Sequence, residues 1–212
     1  MDKSKLINMK HFFIVAILGL ISNIAVAQEK PERRFEYYFN TSFGLYLPND
    51  APKALSKSGM VYTFQFQVNF KHNYFGRLYV DQYSVNYRDT RNLNGLQAKI
   101  DDDLDTNTYG IDLGYTFIEA SKFSPYVYLG GGFATMKTPI IDYNLATNTV
   151  TTSRSSKNFL NYRIGLGAEY EISKMFILTL ETQYNSIPFK TDLDNKQLNG
   201  TMILIGFKTA LQ

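Results

Sequence analysis

The chain has 212 residues, of which 44% are hydrophobic and 19% charged, and it contains no cysteine and no tryptophan. This length fits a single domain, and the lack of cysteine excludes disulfides and thiolate metal sites. Residues 1–27 hold three lysines and one aspartate, so removing them lowers the formal net charge from +3 to +1. A nearly neutral product excludes an electrostatic nucleic-acid binder.

Residues 1–27 have the organisation of a secretory signal. Three lysines precede an apolar run over 12–21, and the segment ends in Ala25-Val26-Ala27. The run is about half of the ~20 apolar residues that a spanning helix needs. We therefore expect a cleaved signal peptide at 1–27 and one folded domain at 28–212. Met9 is an alternative start, because it opens a shorter leader of the same kind.

The rest of the chain alternates between apolar and polar residues. The clearest case is 62–70, which is apolar at every even position and polar at every odd one. A period of two predicts strands with two chemically different faces. Eight strands are predicted in this way, at 35–47, 62–70, 74–88, 109–117, 125–137, 160–170, 176–184 and 197–209.

One predicted strand, 74–88, keeps its alternation only if the phase slips once. Leu78 and Val80 share one parity, whereas Tyr83, Val85 and Tyr87 have the other. One extra residue shifts the pleat by one, so we predict a bulge near Asp81-Gln82 that brings all five to the same face.

The connections between these strands alternate between long and short. Long loops are predicted at 49–59, 89–104, 138–157 and 187–196, and short turns at 71–73, 118–124 and 172–174. This alternation is typical of outer-membrane barrels, and each strand is near the ~10 residues that cross such a membrane. The sequence predicts an all-β, eight-stranded antiparallel up-and-down transmembrane β-barrel, with both chain ends periplasmic and the long loops outside the cell.

The small residues indicate which face points inward. Gly110 and Gly114 share a face with Asp112, and Gly165 shares one with Arg163. The lumen of eight strands has room only for side chains that fill it, so the large apolar residues must face lipid. In hydrocarbon the sheet must also close, which pairs 197–209 with 35–47.

Three segments resemble the outer-membrane protein β-barrel domain family, which includes small OmpA/OmpX-like and porin-family barrels. Residues 124–133 are similar to its Pro-Tyr strand with spaced glycines, 164–174 to the following strand and turn, and 200–207 to its closing strand. The resemblance implies an outer-membrane location among lipids and insertion by the barrel-assembly machinery. Family members often end on an aromatic residue, whereas residues 208–212 follow Phe207 here.

Charged residues fall on the predicted lumen face, as a candidate barrel-interior network. It could be an ion path or selectivity ring, or a salt-bridge plug; a small lumen favours the plug, because buried charges must be paired. The residues are Glu36, Arg77, Asp81, Asp112, Arg163, Glu169, Glu181 and Lys208.

Other constellations carry less chemistry. The acidic segment 101–107 lacks the Gly and the bidentate Glu of a calcium loop, so a solvated loop is favoured over a cation site. The two histidines, His11 and His72, have no nearby serine to activate. We expect no catalytic residue, no metal and no cofactor.

The expected function is a structural or surface-interaction role, carried by loops that meet an unknown extracellular partner. The Thr- and Ser-rich segment 138–157 is β-prone and could extend the barrel above the membrane. The alternative is a narrow porin-like conduit for small solutes, and a third hypothesis is a lipid-modifying enzyme.

Overall fold

The chain forms a closed barrel of eight antiparallel strands, which confirms the predicted fold. The computed structural model describes residues 35–49, 58–70, 73–93, 96–117, 122–144, 149–188 and 198–211. The strands are β1 (Phe35–Pro48), β2 (Gly59–Phe70), β3 (Tyr74–Leu93), β4 (Leu96–Thr116), β5 (Phe123–Asn144), β6 (Thr149–Glu171), β7 (Phe176–Ile187) and β8 (Leu198–Leu211).

Some predictions lie outside the described residues. These are the signal peptide at 1–27, His72, and most of the predicted loops at 49–59 and 187–196. Among the described residues there is no helix long and apolar enough to span a membrane.

The sheet closes where β8 pairs with β1. Their antiparallel register runs from Tyr37↔Leu211 to Pro48↔Gly200, which confirms the predicted pairing of the last strand with the first. Closure gives every strand two neighbours, so the backbone N–H and C=O groups of the wall find partners without water.

The two ends of the barrel differ. At the turn end lie the chain's first and last strand residues and the short β6–β7 connection at 172–175. At the opposite end, the loop end, two hairpins rise. β3 and β4 stay paired up to Leu93↔Leu96, and β5 and β6 up to Asn144↔Thr149.

The predicted loops at 89–104 and 138–157 are therefore wrong as loops: both are mostly strand. The sequence of these segments does not show the apolar–polar alternation that marks a strand, although their backbones pair as regular strands. The expectation that 138–157 extends the barrel is confirmed.

The apolar face points outward, as predicted. Phe64, Phe66 and Leu113 are 48%, 37% and 61% exposed, whereas Gln65 and Asp112 are 2% and 0% exposed. A continuous apolar exterior around a polar interior is the arrangement that a lipid bilayer requires.

Aromatic residues line the outer surface near the turn end. Phe70 stacks on Tyr74 with ring centroids 6.0 Å apart, and Tyr74 meets Tyr115 edge to face at 5.2 Å. Phe117 continues the row at 5.5 Å from Tyr115. Such a row is typical of the aromatic girdle that lies at a membrane–water interface.

The predicted bulge at Asp81-Gln82 is wrong. β3 pairs regularly with β2 through Thr63↔Asp81, and with β4 through Asp81↔Thr108. Leu78 and Val80 face outward, whereas Tyr83 and Val85 point into the barrel.

Tyr83 and Val85 point inward because the interior is apolar near the loop end. They belong to a packed apolar cluster that fills the lumen there. The apolar residues of β3 therefore lie on the outer face at Leu78 and Val80 and on the inner face at Tyr83 and Val85, although the register of the strand is regular. The cluster consists of Tyr46, Val61, Tyr83, Val85, Leu104, Ala134, Met136, Ile187, Leu198, Met202 and Leu204, with Phe159 against it.

Interior glycines make room for large rings. Tyr128 lies directly across from Gly165, and a Cβ at Gly165 would come within 2.4 Å of the Tyr128 ring. Phe75 lies across from Gly114 in the same way, with a Cβ distance of 2.1 Å. Glycine therefore faces inward not only because the lumen is narrow but because aromatic rings occupy the space beside it.

We expect Gly165→Ala to lower the free energy of unfolding by about 1–3 kcal/mol, because the added methyl group displaces the Tyr128 ring. Gly131→Ala is the matched control on the neighbouring strand, since its Cβ would meet nothing closer than 3.6 Å. Urea unfolding in detergent, followed by circular dichroism because the chain has no tryptophan, measures both. Equal stability of the two variants would contradict this account.

Candidate functional site in the barrel interior

The structure places all eight predicted interior residues on the inward face of the wall. Six of them are buried: Arg77, Asp81, Asp112, Arg163, Glu181 and Lys208. Glu36 and Glu169, near the turn end, are half-buried. The eight divide into a central network and a smaller group at the turn end.

Asp112 is the hub of the central network. Arg77 donates from Nε to Asp112 Oδ2 at 2.8 Å, and Arg163 donates from Nε to Asp112 Oδ1 at 2.7 Å. A second guanidinium nitrogen of Arg163 also bonds Asp112 Oδ2. Two guanidinium groups thus share one carboxylate, an arrangement suited to their planar, multiply donating geometry.

Arg77 also reaches across the lumen. Its Nη1 donates to Glu181 Oε2 at 2.8 Å, and β3 and β7 lie opposite each other in the strand order. The hydroxyls of Tyr126 and Tyr128 donate to Glu181 at 2.8 Å and 2.5 Å. These contacts from β3 and β5 to β7 cross the interior and fill its middle with side chains.

Arg163 makes the second crossing. Its Nη1 donates to Asp81 Oδ2 at 2.8 Å, and Thr108 Oγ1 donates to the same oxygen at 3.1 Å. The guanidinium carbon of Arg163 lies 3.2 Å from the centroid of the Tyr79 ring. Stacking on an aromatic face adds an attraction that a lysine ammonium would make less well.

The turn-end group is separate. Lys208 Nζ donates to both oxygens of Glu169, at 2.8 and 2.9 Å, and lies 4.1 Å from the centroid of the Tyr38 ring. The Tyr38 hydroxyl donates to Glu36 at 2.7 Å. The predicted residues therefore form two clusters rather than one network.

Sequence reasoning missed the tyrosines and amides that complete these clusters. Tyr79 has the parity of Arg77, and Tyr128 has the parity of the inward Gly130. Parity could have placed both inside, but the assumption that all large rings face lipid excluded them. Gln65, which accepts from Arg77 Nη1 at 3.0 Å, was also on the polar face.

Outside the barrel interior, a further cluster of charged residues lies on the hairpins. Arg154 on β6 donates from Nε to Asp102 Oδ2 on β4 at 3.1 Å, and its Nη2 bonds the other Asp102 oxygen. The Arg154 guanidinium holds the pKa of Asp102 below its usual range, chiefly through this hydrogen bond. Asn86 Nδ2 contacts Asp103 Oδ1 at 3.3 Å.

The acidic segment 101–107 is thus engaged by Arg154 and Asn86. Within the described ranges, no group of three or more acidic or histidine side chains is arranged to hold a metal ion. Arg154 was not predicted as a partner, because it is far from Asp102 in sequence and only the hairpins bring the two together.

A closed barrel with an apolar girdled exterior and an ion-paired interior defines a small transmembrane β-barrel. The family model described as "Outer membrane protein beta-barrel domain" matches residues 13–209, and the chain belongs to that family. The resemblance drawn from the sequence is confirmed, and the protein is an outer-membrane β-barrel.

Solved structures show the same fold at low sequence identity. The outer membrane protein OprG from Pseudomonas aeruginosa matches with a TM-score of 0.55 and 16% identity, over 84% of this chain and 94% of its own. Neisserial surface protein A matches with a TM-score of 0.52 and 12% identity, over 85% and 99%.

The outer membrane protease OmpT from Escherichia coli matches with a TM-score of 0.45 and 10% identity, over 89% of this chain and 100% of its own. At these identities the likeness to OprG and to Neisserial surface protein A shows the fold alone. No curated protein matches the sequence.

Breaking the central network is expected to be costly. Arg163→Met leaves Asp81 and Asp112 without their shared cation, so the free energy of unfolding should fall by about 3–5 kcal/mol, as for other buried pairs that lose one partner. Arg154→Met removes an ion pair that also has two hydrogen bonds but is exposed, so this variant should change the free energy of unfolding little. Urea unfolding compares the two, and equal losses would contradict a tightly coupled interior.

The Arg154–Asp102 pair gives a pH dependence of known sign. Folding lowers the pKa of Asp102, so the ionised carboxylate stabilises the folded state. This contribution to the free energy of unfolding is complete above the pKa of an ordinary carboxyl group, and it is lost as the pH falls through the pKa of the folded state. An NMR titration of the Asp102 carboxyl carbon should therefore give a midpoint below the usual range. Arg154→Gln should return it to that range; an unchanged midpoint would refute the link.

Proposed function

We propose that this protein is a surface-interaction protein, in which the barrel is a membrane anchor and the two loop-end hairpins bind a partner outside the cell. The observation that carries this proposal is the reach of the hairpins beyond the wall. Both remain regular strand pairs well above the level at which the neighbouring strands stop pairing.

The pairing limits show where each hairpin leaves the wall. β2 pairs with β3 as far as Val61↔Tyr83, β4 with β5 as far as Thr106↔Met136, and β6 with β7 as far as Tyr162↔Ser186. Within the hairpins the registers continue well beyond these pairs, from Ser84↔Asp105 to Leu93↔Leu96 and from Lys137↔Ser156 to Asn144↔Thr149.

The hairpins are suited to binding a partner. They project from a rigid scaffold, and recognition residues tend to lie on such projections. The Arg154–Asp102 pair joins β6 to β4, although β5 lies between them in the sheet, and so links the two hairpins. Holding the hairpins together before binding reduces the entropy that a partner must overcome.

The orientation follows from the topology. In up-and-down outer-membrane barrels the short turns lie on the periplasmic side and the longer connections outside. On this basis we propose that the hairpins lie outside the cell and the chain ends in the periplasm, after export by the signal peptide proposed at 1–27 and insertion by the barrel-assembly machinery.

The interior supports an anchor rather than a passage. The Arg77–Glu181 contact spans opposite strands, and the apolar cluster closes the loop end above it. This argues against the porin-like conduit. The interior carboxylates are buried within a network of guanidinium and hydroxyl donors, so we also propose that the protein is not an enzyme.

A single-cysteine labelling experiment tests the orientation, because the chain has no native cysteine. In intact cells, Ser153→Cys on β6 should react with a membrane-impermeant maleimide, whereas Lys174→Cys at the turn end should react only after lysis. Both residues are exposed. Labelling of Lys174→Cys alone in intact cells would reverse the orientation and reject the proposal.

A trimmed barrel tests the role of the hairpins. Replacing 89–100 and 138–155 each by Asn-Gly joins the paired residues Arg88↔Asp101 and Lys137↔Ser156 by two-residue turns, so the wall is kept. The trimmed barrel should keep the urea midpoint and detergent resistance of the full chain, because a surface-interaction role does not require the hairpins for the stability of the wall. A large loss of stability in the trimmed barrel would favour a purely structural role, and stable conductance of the full chain in planar bilayers a conduit.

A further inference from the structure

The central network has unequal numbers of positive and negative groups. Two guanidinium groups, Arg77 and Arg163, are bonded to three carboxyl groups, Asp81, Asp112 and Glu181. All five side chains are almost completely buried. An ionised carboxylate without a compensating charge is very costly in such surroundings, so one of the three must be neutralised.

Two of the carboxyl groups have hydrogen-bond donors at both oxygens. Both oxygens of Asp112 accept from guanidinium groups. Both oxygens of Glu181 also accept: Oε2 from Arg77 at 2.8 Å and Oε1 from the Tyr128 hydroxyl at 2.5 Å. Donors on both oxygens stabilise the ionised form of a carboxyl group.

Asp81 is bonded differently. Arg163 Nη1, Thr108 Oγ1 and Gln183 Nε2 all approach its Oδ2, at 2.8, 3.1 and 3.5 Å. Its Oδ1 is buried and accepts from no guanidinium or amide group among the described residues. An oxygen that no cation contacts is the one on which a neutral carboxylic acid can carry its hydroxyl hydrogen.

An acceptor for that hydroxyl is close by. Thr63 is opposite Asp81 in the β2–β3 register, and both side chains are buried on the inward face. The Thr63 hydroxyl can accept a hydrogen bond from a protonated Asp81 as well as donate one to an ionised Asp81. Thr63 therefore permits a proton on Asp81, and the excess of one carboxyl group in the buried network requires it.

We propose that Asp81 binds one proton in the folded barrel and that this proton makes the central network electrically neutral. The charged and titratable groups that face Asp81 are Arg163 on β6, Asp112 on β4, and Tyr79 and Tyr83 on its own strand. Thr63 on β2 and Gln183 on β7 complete its surroundings. Asp81 is thus a proton-binding site buried in the interior of the barrel.

The bound proton makes stability fall as the pH rises. The folded protein holds a proton that the unfolded chain releases above the ordinary pKa of aspartate, about 3.9. Where the folded state binds more protons than the unfolded state, the free energy of unfolding decreases with increasing pH. The exposed Asp102 has the opposite effect, because its contribution to the free energy of unfolding is lost as the pH falls.

Asp81→Asn tests the proposal, because asparagine mimics the neutral acid. We expect this variant to have the urea midpoint of the wild type near neutral pH. The midpoint of the wild type should decrease between about pH 5 and about pH 9, whereas that of the variant should not. Asp112→Asn is the matched control and should lower the midpoint at every pH. Infrared spectra of the folded wild type should show the C=O band of a protonated carboxyl group, and Asp81→Asn should lack it.

Two results would overturn the proposal. One is an equal loss of stability in Asp81→Asn and Asp112→Asn, which would show that both are ionised in the folded state. The other is a wild-type infrared spectrum without the acid band together with a urea midpoint that rises on adding sodium or potassium chloride, which would indicate a bound metal cation. The infrared measurement requires only the wild-type protein, so absence of the acid band overturns the proposal even if a variant fails to fold, whereas its loss in Asp81→Asn assigns the proton to Asp81.

Discussion

Closure of the sheet is the constraint on which the rest of the structure depends. In hydrocarbon an unpaired backbone group costs several kcal/mol, so β8 must complete the ladder of β1. Closing eight strands fixes a lumen that only side chains can fill. Every inward residue must then match its neighbours in volume and charge, which explains why rings such as Tyr128 lie beside glycines such as Gly165.

The same narrow lumen explains the choice of charged residues. A guanidinium group can bond two carboxylates and stack on a ring, and Arg163 does all of this with Asp81, Asp112 and Tyr79. Lysine offers a compact charge instead, and Lys208 occurs where the interior is closer to the turn end and one carboxylate, Glu169, is enough. Position along the barrel axis thus determines which cation fits.

Sequence parity predicted the wall well, because a period of two assigns each strand residue to one face. It failed for Tyr83 and Val85, since polar residues face inward only where the interior is charged, and near the loop end it is apolar. It also could not pair the charges. Arg77 and Glu181 are 104 residues apart and meet only because β3 and β7 face each other across a closed barrel.

The hairpins were the hardest part to predict, and the reason bears on function. Within the membrane, lipid on one side and a packed lumen on the other impose alternation on the sequence. Segments 89–104 and 138–157 do not alternate between apolar and polar residues, while their backbones remain paired. The wall and the lumen are constrained by folding, whereas the residues of the hairpins can vary to suit a partner. A specific interaction is therefore most readily built into the hairpins.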